Sequence, residues 1–230
     1  MKRLLLAAAL LLVAIPATAE VHGAWTALDH GDGKLDLRVT IREWNMFGST
    51  LKVGEIPGLP ATSATPIHFQ LRREAGTISF EGTFKNGDGG GQFTFAPNAR
   101  YLSSIRATGI EMDMVSNGNE EEMLLSLAMS DLTVDYIRSI QPLFPGLTLR
   151  EARRARSSGV TPQYVKSLRD AGVSITTARE ASRLASLNIT PQYVAELAAA
   201  GYKNLSVRDL TRFAANGINA EFISRFRSHQ

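Results

Sequence analysis

From Lys34 to Arg42 apolar and polar residues alternate, with Leu35, Leu37, Val39 and Ile41 on one side and Lys34, Asp36, Arg38, Thr40 and Arg42 on the other. A period of two is that of a strand with one buried face. The alternation returns at Ile67, Phe69 and Leu71, at Ile78, Phe80 and Phe84, and at Phe93 and Phe95. Two punctuating stretches, Glu74-Ala75-Gly76 and Asn86-Gly87-Asp88-Gly89-Gly90-Gly91, carry glycines that reach positive φ at little steric cost, and they read as hairpin turns. Pro57, Pro60 and Pro66 make the stretch from Ser49 to Pro66 a loop. The pattern predicts an antiparallel meander of about four or five strands, with Trp25 and Trp44 packing on its apolar face.

Beyond Pro97 the period lengthens and the chain repeats itself. Val160-Thr161-Pro162-Gln163-Tyr164-Val165 recurs 29 residues later as Ile189-Thr190-Pro191-Gln192-Tyr193-Val194, and 29 later again as Ile218-Asn219-Ala220-Glu221-Phe222-Ile223. A step of 28 backwards finds Leu132-Thr133-Val134-Asp135-Tyr136-Ile137, and a diverged copy starts at Asn98, with Tyr101. Each copy opens on a Thr or Asn able to accept from unpaired helix N–H groups, a cap worth about 1 kcal/mol. Proline, where present, stands at the first helical position, where its missing N–H costs nothing. Gly109, Gly172 and Gly201 supply stops. A second helix in each copy starts at Thr148, Thr177 and Ser206, each followed three residues on by an acid (Glu151, Glu180, Asp209), the spacing of a capping box. Asn119 followed by Glu120, Glu121 and Glu122 is the matching start upstream. The second helices end at Gly159, Asn188 and Gly217. Tyr136, Tyr164, Tyr193 and Phe222 form one column, Ile137, Val165, Val194 and Ile223 the next, and Ile140, Leu168, Leu197 and Phe226 a third. One helix pair cannot bury such faces alone, so neighbours must stack. Arg225, Arg227, Ser228, His229 and Gln230 read as a polar end.

The predicted class is therefore α+β: a small antiparallel β meander over residues 20–97, then an α-solenoid-like array of short paired helices over 98–230. Residues 1–19 read differently. Lys2 and Arg3 precede a run of twelve apolar residues, Leu4 to Ile15, and Ala17-Thr18-Ala19 is a small-x-small site. This is the form of a secretory signal peptide cleaved between Ala19 and Glu20, the run being too short for the roughly 20 residues that span a bilayer. The expectation is an exported protein, periplasmic or secreted, without a membrane span after cleavage.

The absence of cysteine removes disulfides, thiolate chemistry and cysteine metal sites. The net charge of +3 is unevenly spread: residues 132–230 hold fourteen basic and seven acidic side chains, a local +7, whereas residues 98–131 hold two and six. Such asymmetry fits an anionic partner or a solvated helical surface, one that can turn toward the acidic segment upstream. Arg150, Arg153 and Arg154 stand at i, i+3 and i+4 and share a helix face suited to phosphate or carboxylate groups. The four histidines, His22, His30, His68 and His229, lack metal-binding spacing. There is no GxSxG elbow, Asp29, Asp32 and Asp36 miss the spacing of a calcium loop, and Gly87 to Gly91 lead into a strand, not a P-loop helix. Glu111 and Asp113 are close, but nearby acids are commonplace. No enzyme, cofactor or metal follows from these residues.

The stretch FQLRREAGTISFEGTFKNGDGGGQFTFAPNARYL, followed by TPQYVxxLxxAG twice and NLSVRDLTRFAANGI, resembles a poorly characterised group of exported bacterial proteins with a β-rich N-terminal domain and tandem helical repeats. The repeats are similar to those appended to some antirepressor-type membrane peptidases. This chain has no HExxH, so the resemblance implies fold and location, not peptidase activity. The functional expectation is a non-enzymatic interaction or scaffolding module that binds a protein, a peptide or an anionic envelope polymer through the array, with nucleic acid disfavoured. The alternative is a small-molecule or carbohydrate-binding β domain, hydrolytic in one version, with Trp25 and Trp44 as ligand contacts.

Overall fold

The computed structural model describes residues 20–42, 45–56, 59, 66–114 and 120–227. The expected signal segment, Trp44, Asn119 and residues 228–230 lie outside them, as do the side chains of Phe226 and Arg227.

Six strands form one antiparallel sheet: β1 (Val21–Asp29), β2 (Lys34–Ile41), β3 (Asn45–Lys52), β4 (Pro66–Arg73), β5 (Gly76–Lys85) and β6 (Asp88–Pro97). Their order, β3-β2-β1-β6-β5-β4, is two three-stranded meanders joined where β1 pairs with β6. The expected loop after Ser49 begins later than its prolines suggested, because Ser49 to Lys52 pair with Leu37 to Lys34 as the end of β3. This strand escapes the alternation test because none of its residues is fully buried. Its residues are exposed or half-buried, and the ladder to β2 holds it without a continuous apolar face.

The glycine run divides in the same way. Only Asn86 (φ 54°) and Gly87 (φ 90°) turn the β5–β6 hairpin, the pair that a two-residue turn with positive φ at both places requires. Gly89 to Gly91 belong to β6. A Cβ on Gly89 would come within 2.3 Å of Phe84 and 2.9 Å of Trp25, and one on Gly91 within 2.0 Å of the Glu81 carbonyl. These glycines make room for packing. Trp25, 1% exposed, stands edge-on to Phe69 (5.4 Å) and Phe80 (5.9 Å), and its indole N–H donates to the Glu81 carbonyl at 3.0 Å.

Nine helices follow among the described residues: α1 (Ala99–Arg106), α2 (Glu120–Met129), α3 (Val134–Ile140), α4 (Leu149–Ser157), α5 (Pro162–Asp170), α6 (Ala178–Ser186), α7 (Pro191–Ala199), α8 (Val207–Ala215) and α9 (Ala220–Arg227). The protein is thus an α+β fold. α2 is buried at every position from Leu124 to Met129 and packs on β3, β5 and β6. A helix apolar on all sides is a core helix, and through it the hydrophobic core runs unbroken across Pro97.

The caps are where the sequence places them. Asn98, Thr133, Thr148, Thr161, Thr177, Thr190 and Ser206 each accept a backbone N–H two or three residues ahead. A full reciprocal capping box forms at Thr177 and Glu180. At Thr148 the hydroxyl half is present, while the Glu151 carboxylate lies 3.9 Å from Arg179 of α6.

The tyrosine column has a specific task. The hydroxyl of Tyr101 donates to the Leu132 carbonyl, Tyr136 to Val160 (2.9 Å), Tyr164 to Ile189 (2.8 Å) and Tyr193 to Ile218 (2.6 Å). Each phenol reaches the carbonyl directly before the next cap residue, so one helix pair is tied to the start of the following one. Phe222, at the equivalent place, has no hydroxyl and is 48% exposed. Burial holds the Tyr101, Tyr136 and Tyr193 phenols above their ordinary pKa and pushes Tyr164 up to about 12.

Candidate functional site

The structure divides the predicted arginine face. Arg150 turns back to Asp113: its backbone N–H donates to Oδ1 at 2.9 Å, a guanidinium nitrogen donates to the Asp113 carbonyl at 2.7 Å, and Nε lies 3.4 Å from Oδ2. Asp113 therefore serves as an anchor for the start of α4. Arg153 is half-buried, and its Nε is enclosed without a hydrogen-bond partner among the described residues. Burial first, then the charges of Arg154 and Arg150, lower its pKa. Arg150 is itself exposed but committed to Asp113, whereas Arg154 is exposed and carries no such tie.

Arg154 instead joins two arginines that were not singled out in the sequence. α4 packs on α6, and between them runs a groove of about 610 Å³ lined by Arg154 and Ser158 on one side, Arg179, Ser182, Arg183 and Ser186 on the other, and Leu187 at its end. No carboxylate lines it. Arg179 has a distant partner in Glu151 at 3.9 Å, with its own side chain 65% exposed, an arrangement worth little in water. Among the described residues Arg154 and Arg183 have no ion-pair partner. The Ser186 hydroxyl donates to Ser158 at 3.3 Å, leaving the Ser158 proton directed elsewhere. The signal that could have found this site lies in the repeat: Arg154 and Arg183 are 29 residues apart, the same offset that aligns Tyr164 with Tyr193.

Other arginines of the array work inward. Arg156 donates from Nε to the Asp131 carbonyl (3.0 Å) and pairs with its carboxylate at 2.5 Å, and its guanidinium lies 5.6 Å from the Tyr136 ring centre. Arg73, at the end of β4, meets the same carboxylate at 3.2 Å. Asp131 thereby joins sheet to array, inside a cleft of about 710 Å³ between β2, β3 and the ends of α2 and α4. Its neighbour Glu74 accepts the Val134 N–H at the start of α3 at 2.9 Å. Part of the basic surface therefore does turn toward the acidic segment, as one of the two expectations had it. The groove between α4 and α6 does not.

The sheet offers a different picture. Trp25 is enclosed by aromatic rings, so its faces present no surface to a ligand; Trp44 lies outside the described residues. Asp29 and Asp32 accept the Gly31 and Lys34 N–H groups, and Asp36 accepts from Thr50, so these acids stabilise a surface turn and the adjoining strands. Among the described residues no group of three metal-ligating side chains comes together, and no helix is long and apolar enough to cross a membrane. No family model, curated protein or solved structure matches the chain.

Proposed function

We propose that this chain is an exported, non-enzymatic interaction module whose stacked helical repeats hold an anionic partner of the cell envelope on the face made by α4 and α6. The observation that carries this reading is the groove lined by Arg154, Arg179 and Arg183 with three serines and no acid. Guanidinium forks grip two oxygens of a phosphate or carboxylate at once, and the Ser158 hydroxyl supplies a further donor, the Ser182 and Ser186 protons being given to the Ala178 carbonyl and to Ser158. Tyrosine straps between successive helix pairs support the solenoid part of the reading, because they make neighbouring units rigid with respect to one another. The basic n-region, apolar run and small-x-small site of residues 1–19 support export.

Binding of inorganic tripolyphosphate to the full chain, followed by titration calorimetry, tests the site. Arg154→Glu with Arg183→Glu should weaken binding by at least about tenfold, since charge-assisted hydrogen bonds contribute about 1.5–3 kcal/mol each. Both side chains lie on the helix surface, so the circular dichroism of the variant should match the parent. Equal affinity in both proteins, or no binding by either, refutes the reading.

A further inference from the structure

The 29-residue offset continues past the groove. Arg154 is followed by Arg183 and then Arg212; Arg150 is followed by Arg179 and then Arg208. On each helix the two members stand four residues apart, and so on one face. α4 packs on α6, and α6 on α8. Two columns of arginine therefore cross three neighbouring helices. Packed helix axes lie about 8–10 Å apart, so the outer column from Arg154 to Arg212 extends roughly 20 Å. The inner column is partly neutralised, by Asp113 at Arg150 and Glu151 at Arg179. In the outer column, among the described residues, only Arg212 has a carboxylate partner, its own Asp209 at 3.2 Å and exposed.

We infer that the partner is a linear phosphate-bearing polymer laid across α4, α6 and α8, which deepens the anion-binding reading and rests on it. A compact anion fills the groove between α4 and α6 and reaches no further. A chain gains a second and third contact from the outer column, and linked contacts multiply affinity without any new chemistry. The lining favours phosphate over a peptide or a nucleic acid. The groove between α4 and α6 is lined by guanidinium and hydroxyl groups with a single apolar side chain, Leu187, and no aromatic ring, so it gives little hold to apolar peptide side chains and no platform on which bases stack; on α8 the Phe213 ring is half-buried, with the Arg212 guanidinium 6.0 Å from its centre.

The experiment compares tripolyphosphate with linear polyphosphate longer than roughly 20 Å, on the full chain and on an Arg208→Ala, Arg212→Ala variant that leaves the groove intact. Both replaced side chains are exposed, so folding should survive. The parent should bind the long chain at least about tenfold more tightly than tripolyphosphate. The variant should lose that gain and bind tripolyphosphate as the parent does. If tripolyphosphate binds but the long chain binds parent and variant alike, the polymer inference fails and the groove stands. If tripolyphosphate binds neither, the groove reading fails and the inference with it. Tighter binding of polyglutamate of equal contour length overturns the choice of phosphate in favour of an acidic peptide.

Discussion

The sheet and the helices after it are held together by different kinds of bond. In the sheet, the strands that meet at the centre come from far apart in the chain: Val21 of β1 pairs with Phe95 of β6, and Trp25 donates to Glu81. From α1 onward, the helices close over shorter distances. Each tyrosine finds its carbonyl between 24 and 31 residues ahead, and each cap finds its N–H within three. Short loops cost less entropy to close than long ones. The helical half should therefore yield piecemeal under stress, whereas the sheet should hold or fail as a whole.

Trp25→Ala attacks the sheet where its aromatic rings converge and should cost about 3–5 kcal/mol. Gly89→Val, which forces a side chain into Phe84 and Trp25, should act in the same direction. Hydrogen exchange should then rise in the strands and in α2 together; a rise confined to one hairpin would break the contrast. Tyr164→Phe leaves the Ile189 carbonyl short of a donor and should cost about 1–3 kcal/mol, with exchange rising from α5 onward and the sheet unaffected. The same residue makes a pH test. Burial favours its protonated form, with a pKa of about 12 against the ordinary 10.0, so its contribution is complete below pH 10 and is lost as pH rises through 12. Phenol absorbance should show one tyrosine fewer titrating above the ordinary phenol range in the variant. Thr190→Ala removes a cap and should cost about 1 kcal/mol, read as a shift in denaturation midpoint. Least of all, Lys166→Ala, which breaks an exposed pair with Asp170 at 2.6 Å, should cost at most about 0.5 kcal/mol. A loss as large as that of Trp25→Ala would show that the helical half is not modular.

The helix starts were readable because cap residues act within one turn. Thr161, Thr177, Thr190 and Ser206 bond N–H groups that their own neighbours supply, and no distant residue has to be known. Strands β2, β4, β5 and β6 were readable for a related reason, since burial on one face writes itself into alternation. β3 was not, because none of its residues is buried and its ladder to β2 holds it. The glycines after Gly87 read as a turn in the sequence because their true constraint, the volume of Trp25 and Phe84, comes from elsewhere in the chain. Arg150, Arg153 and Arg154 were correctly placed on one helix, but helix periodicity is silent on what neighbouring segments do. Asp113 drew in the first, packing enclosed the second, and α6 supplied partners for the third.

The tyrosine straps all point the same way along the polypeptide, from an earlier helix to a later segment. A chain emerging from a ribosome or a translocation channel delivers the phenol first and its acceptor about 25 residues afterwards. Until then the hydroxyl remains hydrated and the helix pair unlatched. Successive latches close in order of arrival, giving the process a ratchet-like polarity that reversing the donors and acceptors would abolish.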